Sequence, residues 1–458
     1  MATEKQSTDS ARNMAAKTLQ KLHKGGGYSN ILIENALSGN YKAAAPAEKA
    51  LFGFLVRGVE ERRLTLDHIL QARSKQPLKR LHPLTLEHLR VGAFQLLYAE
   101  KIPASAAVNE AVKLTKACGQ ARSAGFVNAV LRGIEREKET IFDSFPAGDE
   151  GLCLKESCPK LLFDFFAGAY GVETARKLVE HVNDRPPTSV KINTLKTTAE
   201  QWTTEAANAG VSFTLVEGLP ATVSVDPADE RKLLDFSNKT WYYQDVASGF
   251  CVKALAPQPG ERVADVCAAP GGKSLTAAQY MENRGSILAC DLYPQKCDTM
   301  EKRAKEADAS IVQTLVRDAA TPCPKPLAGA FDRVLCDVPC SGLGVIRRKP
   351  EIRYKDLSML SELPDLQYRI LEQSAAMVKP GGVLQYSTCT LNPAENERQT
   401  ARFLSEHPEF SPRILPVPEL FSLCGVEPSH EITLFPFVTG SDGFYIAGFL
   451  KKGGENNG

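Results

Sequence analysis

The sequence predicts an α/β domain built on a doubly wound, mostly parallel sheet, preceded by an all-α domain and a small α+β subdomain. Three observations predict it. Apolar residues recur at helical spacing from residue 11 to about 137, and from Gly260 onward short apolar runs alternate with helical stretches. A Gly-rich turn joins the first of those strands to the next helix, as parallel α/β sheets require. At 458 residues the chain exceeds what one core fills, so more than one domain is expected. The expected divisions are residues 1–145, 146–240 and 241–458.

Along the chain, Met14, Ala15, Leu19 and Leu22 share one helical face, then Leu51, Leu55 and Val59, then Leu86, Leu89, Ala93 and Leu96. The glycines from Gly25 to Gly27 end the first helix, Ser105 caps another before Val108 and Val112, and Gly119 terminates it. A last helix carries Phe126, Val130 and Ile134. Pro146, Gly148, Gly151 and Pro159 among acidic residues mark a linker, followed by a helical stretch over 161–182. After Pro186 and Pro187, β-like runs over 189–192 and 211–216 flank a polar helical segment over 199–209. Strands are expected over 263–267, 286–291, 311–318, 334–338 and 383–386, with helices over 273–281, 295–306, 366–377 and 395–407. The alternating run 443–450 adds a final strand.

Composition narrows the function classes. With 43% hydrophobic and 24% charged residues the chain can fold rather than stay disordered. No apolar run approaches the roughly 18 residues needed to span a bilayer, and residues 1–10 lack the apolar segment of a secretory leader. A cytoplasmic monomer without a membrane partner is expected. The 12 cysteines include no Cys-x-x-Cys and no nearby histidine pair, so they are read as thiols and no metal site is assigned. The net charge of +1 hides an asymmetry: residues 1–140 hold 22 Lys and Arg against 13 Asp and Glu, leaving the remainder acidic. A polyanion is the partner this suggests, and Arg73, Lys75, Lys79 and Arg80 around Pro77 form a patch suited to phosphates.

The chemistry concentrates at strand ends. Asp265-Val266-Cys267-Ala268-Ala269-Pro270-Gly271-Gly272-Lys273-Ser274 follows one strand and opens a helix, a turn that lets a ligand approach the backbone. It matches neither the Gly-x-Gly-x-x-Gly fingerprint nor Walker A. Asp291, Asp318 and Asp337 end the next three strands, where ligands of open α/β sheets bind. Such carboxylates repel pyrophosphate but hold ribose and a cation, which fits S-adenosylmethionine. Cys340, in Asp337-Val338-Pro339-Cys340-Ser341-Gly342, and Cys389, in Tyr386-Ser387-Thr388-Cys389-Thr390, sit in polar turns at two strand ends. A thiolate beside a methyl donor points to methylation of a carbon that is not itself nucleophilic, such as cytosine C5 after addition at C6.

With these motifs in this order, the chain resembles the RNA 5-methylcytosine methyltransferases of the RsmB (Sun) type over nearly its whole length. The resemblance implies a Rossmann-like catalytic domain, a NusB-like helical RNA-binding domain and small-subunit ribosomal RNA as substrate. It makes Cys267, Ala268, Ala269, Pro270, Gly271, Gly272 and Lys273 the cofactor loop, with Asp291, Asp318 and Asp337 completing the cofactor site. It makes Cys389 the nucleophile and Cys340 the residue assisting product release, with Lys273 and Asp337 also touching the target base. RNA contacts are expected from Arg347, Arg348, Lys349 and Arg353, and from Lys191 in Val190-Lys191-Ile192-Asn193, where the family carries arginine. Gln244 and Asp245 match a pair that supports the cofactor loop. Transfer RNA or large-subunit RNA as substrate, a small-molecule substrate, and a non-catalytic assembly factor remain open on the residues alone.

Overall fold

The computed structural model describes residues 10–25, 27–236 and 239–453; the polar residues 1–9 and the Gly/Asn tail from residue 454 lie outside them. The chain divides into two compact units, Met1–Asp184 with Ile346–Lys355, and Arg185–Val345 with Asp356–Gly458.

The first unit is helical: α1 (Ala11–His23), α2 (Ser29–Ser38), α3 (Pro46–Glu61), α4 (Arg63–Ala72), α5 (Pro83–Tyr98), α6 (Ala104–Ala117), α7 (Ala124–Glu137), α8 (Gly148–Lys155), α9 (Lys160–Tyr170) and α10 (Val172–Glu180). Ser10 caps α1 by accepting from Asn13 N, and Pro46 and Pro83 open α3 and α5, where a missing N–H costs nothing. Leu19, Phe52, Leu55, Leu89, Leu131 and Ile134 meet in its core. His23 crosslinks α1 to α3 and α5, with Nε2 2.7 Å from Glu60 Oε2 and Nδ1 2.9 Å from Glu87 Oε1.

Residues 346–355, just beyond the Pro-Cys turn, belong to this helical unit rather than to the domain that precedes and follows them in sequence. Glu351 accepts from Ser29 N and Oγ at 3.0 and 2.9 Å. Arg353 is 2% exposed and donates to the carbonyls of Glu61 and Val182 and to Asn183 Oδ1, at 3.0, 2.8 and 2.9 Å. A guanidinium enclosed in this way has no face left for RNA, so the expected RNA contact by Arg353 is corrected to an internal tie. Arg348 is exposed, Arg347 is half-buried, and the Lys349 ammonium sits 4.8 Å from the Tyr28 ring centre.

The second unit begins with a four-stranded antiparallel sheet of β1 (Thr188–Ile192), β2 (Phe213–Leu215), β3 (Thr222–Val225) and β4 (Trp241–Tyr243), in the order β2-β3-β1-β4, backed by α11 (Ala199–Asn208) through Trp202. After α12 (Glu230–Asp235) and α13 (Val246–Leu255) comes the main sheet. Strands β5 (Arg262–Asp265), β6 (Ser286–Asp291), β7 (Val312–Val316), β8 (Phe331–Asp337) and β9 (Val378–Thr388) are parallel in the order β7-β6-β5-β8-β9. Helices α14 (Gly272–Tyr280), α15 (Pro294–Glu306) and α16 (Leu363–Met377) connect them. The final strand, β12 (Phe444–Lys451), pairs antiparallel with β9, β10 (Phe410–Pro412) and β11 (Glu431–Leu434), and α17 (Glu397–Glu406) lies between β9 and β10 in sequence. This is the doubly wound, mostly parallel architecture that the alternating pattern predicts. Among the described residues no helix is long and apolar enough to cross a membrane, and no group of three or more His, Cys, Asp or Glu is arranged to hold a metal.

Lys191, expected to contact RNA, lies in β1 and is 4% exposed, its Nζ bonded to Pro220 O and facing the Tyr280 ring. Burial lowers its pKa to about 8. Its ammonium is committed inside the unit, and the expected phosphate contact is corrected.

Candidate active site

The order of the parallel strands reverses between β5 and β8, and ligands of such sheets bind beyond the carboxyl ends at that point. The turn after β5 lies there. Val266 N bonds Leu335 O of β8 at 3.0 Å and Ala268 N bonds Cys290 O of β6 at 2.7 Å, so the loop is fixed to both neighbours. Gly271 has φ +94°, and a Cβ there would lie 3.2 Å from Met300 Cγ, so only glycine turns the chain comfortably into α14. Gln244 steadies the first turn of α14, donating to Gly272 O at 3.2 Å and accepting from Thr276 Oγ1 at 2.9 Å. Asp245 acts elsewhere: it caps α13 through Ala247 N and accepts from Asp442 N.

Asp265, at the end of β5, is 2% exposed; Ser274 Oγ donates to its Oδ2 at 2.7 Å, while Oδ1 is buried without a protein partner. Burial, reinforced by Asp337 and Asp291 and opposed by Ser274 and Lys273, pushes its pKa up to about 7. The folded chain therefore holds this proton more tightly than the unfolded chain. The stability so gained is fully present below about pH 4 and is lost as pH rises through about 7. Urea unfolding across that window is expected to show a falling contribution that Asp265→Asn removes; equal pH slopes for both proteins would contradict it.

Asp291 ends β6, its Oδ1 accepting from Tyr293 N at 3.2 Å and lying 3.4 Å from Lys296 Nζ. Asp318 follows β7 on the surface, its Oδ1 capping its own turn through Ala320 N at 2.9 Å. Asp337 ends β8 and is held at both oxygens, by Lys273 Nζ at 2.7 Å on Oδ2 and by Ser387 Oγ at 2.8 Å on Oδ1. Burial works against the Lys273 charge, but Asp337, Cys251 and Asp265 outweigh it and hold its pKa above the usual lysine value. The start of α14 and the end of β8 thus meet in one ion pair.

The two turns that sequence singles out converge. Cys340 Sγ and Cys389 Sγ are 3.1 Å apart, both as free thiols. The neighbouring Cys389 sulfur, then burial, raises the Cys340 pKa well above the usual thiol value.

Sequence reading missed the groups that hold this geometry. Glu395 is fully buried and accepts from Ser341 N at 2.9 Å, Gln367 Nε2 at 2.7 Å and Asn392 Nδ2 at 2.8 Å, while Gln367 also donates to Pro339 O at 3.0 Å. One carboxylate thereby clamps the residues on either side of Cys340 to the turn beyond Cys389. Gly344 N donates to Cys389 O at 3.1 Å, and a Cβ on Gly344 would stand 1.9 Å from Gly443 O, so backbone alone fits there. The available signal was Asn392-Pro393-Ala394-Glu395-Asn396, a polar run directly after the Thr-Cys turn. It precedes α17, which begins at Glu397 rather than at residue 395.

Comparison with known proteins follows the same division. Residues 252–450 match the family 16S rRNA methyltransferase RsmB/F, residues 9–136 the NusB family, and residues 147–228 the RsmF/B-like ferredoxin-like domain. The chain is 33% identical over 448 residues to the probable ribosomal RNA small subunit methyltransferase B of Bacillus subtilis, covering 97% of this chain and 99% of that protein. It is 30% identical over 446 residues to ribosomal RNA small subunit methyltransferase B of Cronobacter sakazakii, covering 96% and 98%. Among solved structures, PH0851 superposes with a TM-score of 0.77 at 25% identity, covering 96% of this chain and 98% of its own. A methyltransferase homolog protein from Pyrococcus horikoshii superposes with a TM-score of 0.55 at 28% identity, covering 66% and 97%.

Proposed function

From the premise that the chain belongs to the RsmB/F family of 16S rRNA methyltransferases, we propose that it methylates C5 of a cytosine in small-subunit ribosomal RNA, using S-adenosylmethionine and a covalent bond from Cys389 to C6. The observation that carries this reading is the pair of thiols 3.1 Å apart beside the Lys273–Asp337 ion pair.

The donor set suits a cationic nucleoside: acidic side chains at successive strand ends, a backbone loop closed by Gly271, and the unpartnered Asp265 Oδ1. Residues 267–273, Asp291, Asp318 and Asp337 would hold S-adenosylmethionine, which supplies an electrophilic methyl group when bound. Cytosine C5 is a poor nucleophile until the Cys389 thiolate bonds to C6 and pushes the C5–C6 electron pair onto C5. Asp337, held by Lys273 and Ser387, would hydrogen-bond the polar edge of the base as that charge develops. After methyl transfer the C5 proton leaves to a base, the C5–C6 double bond reforms and the sulfur departs as thiolate. Cys340 suits the proton-taking role because the neighbour that raises its pKa is neutralised once the Cys389 sulfur is bonded to carbon. Cys340 then gives its thiol proton to solvent and its thiolate accepts the one from C5, so one proton is released for each methyl group transferred. Reaching C5 and C6 requires an unstacked cytosine, hence a single-stranded or extruded target.

The test uses unmodified small-subunit RNA carrying tritium at cytosine C5. Methyl transfer is expected to release tritium into water mole for mole, with transfer RNA and large-subunit RNA as parallel arms. Methylation that leaves the tritium in place overturns the C5 assignment, and transfer confined to another arm overturns the substrate.

A further inference from the structure

The basic patch around Pro77 is not used by the site described above. Residues 68–86 carry Arg73, Lys75, Lys79 and Arg80 and no carboxylate. This loop borders a surface groove of about 580 Å³ in the helical unit, lined by Arg73, Lys75 and Gln76 and by Phe126, Gly133 and Arg136 of α7. Gly133 and Arg73 are neighbours in this lining, a Cβ at Gly133 lying 3.9 Å from Arg73 Cδ.

The charges in the groove are unequal. Its one carboxylate, Glu137, pairs with Arg73 Nη2. Arg73 also donates from Nη1 to Ile69 O at 3.0 Å, so its guanidinium is tied within the unit. Lys75 and Arg136 are exposed, and among the described residues neither makes an ion pair. Phe126 is half-buried and offers part of its ring. Two exposed cations without ion pairs and a half-buried aromatic ring along one groove are the elements that hold a phosphate with a stacked base. An acidic peptide would use the cations alone and leave the ring without a role.

We propose that this groove binds a single-stranded segment of RNA, with phosphates on Lys75 and Arg136 and a base against Phe126. The proposal rests on the RNA reading of the active site and adds a docking point in the helical unit.

The experiment measures binding of small-subunit RNA and of polyuridylate to the full-length protein across a salt series. Lys75→Glu with Arg136→Glu is expected to weaken both by about tenfold or more and to make the slope of log affinity against log salt shallower by about 1 to 2. Phe126→Ala is expected to weaken binding about fivefold or more with the slope unchanged. Lys75→Arg should retain wild-type affinity, and unchanged thermal melting of each variant shows that the fold is intact. With saturating RNA the charge-reversed protein should keep its kcat while KM rises. Wild-type affinity and slope in the charge-reversed protein would overturn the groove, whatever else occupies it. Should wild type fail to methylate small-subunit RNA, the catalytic reading falls, while the polyuridylate comparison still decides the groove.

Discussion

Replacing Cys340 with alanine is expected to make the protein accumulate an RNA adduct that survives denaturing electrophoresis, whereas Cys389→Ala forms none and transfers no methyl group. The two thiols lie 3.1 Å apart, and the proposed reaction gives them different roles. The neighbouring sulfur and burial raise the Cys340 pKa, and in the proposed reaction Cys389 acts as the thiolate. Without Cys389 no bond to C6 forms, C5 stays unreactive, and turnover is lost. Without Cys340 the addition still proceeds, but the C5 proton loses its acceptor and the C–S bond persists. Loss of a positioned base costs about 10²–10⁴ in rate, enough for the adduct to become the main enzyme form on a minutes scale. RNA-free protein, S-adenosylmethionine and unmodified small-subunit RNA suffice for the measurement. An adduct in Cys389→Ala but not in Cys340→Ala would exchange the two roles. An absence of both adduct and methyl transfer, with RNA still bound by wild type, would favour an assembly factor that does not catalyse.

The catalytic half was legible because its chemistry sits where a parallel sheet must place it. Asp291 and Asp337 at strand ends and the polar turns carrying Cys340 and Cys389 are visible as local patterns, whereas Asp318, read as ending a strand, stands exposed two residues beyond β7. β9 illustrates the limit of local reading: it runs from Val378 to Thr388, whereas periodicity marks only residues 383–386, because Lys379, Pro380, Gly381 and Gly382 look like a turn. The role of Glu395 was not legible beyond its place in a polar run. Nothing in a carboxylate flanked by Ala394 and Asn396 states that it is fully buried, since its partners Ser341 and Gln367 come from 54 and 28 residues away. Lys191 and Arg353 failed for the same reason in the opposite direction. Charge was read as exposure, while Pro220 O, 29 residues away, takes the Lys191 ammonium and several distant carbonyls converge on Arg353.

Arg353→Ala should therefore behave as a core mutation of the helical unit. Its guanidinium joins the end of α3 at Glu61 to Val182 and Asn183 beyond α10, with Glu156 O a further acceptor at 3.5 Å. Truncation leaves those carbonyls buried without a donor and opens a cavity the size of the side chain. Breaking a buried charged network of this kind costs about 3–5 kcal/mol. For a unit of this size that lowers the midpoint of its thermal transition by roughly 10 °C or more. Arg353→Lys should rescue little, because one ammonium on a flexible stem cannot reproduce a planar fork aimed at several acceptors. Arg348→Ala, on the exposed side of the same segment, should change stability by no more than about 0.5 kcal/mol. Scanning calorimetry with salt-dependent RNA binding separates an internal tie from an RNA contact. An internal tie lowers the melting point and leaves the salt slope of the surviving folded protein unchanged. A melting point equal to wild type together with a shallower salt slope would return Arg353 to the RNA-contacting surface.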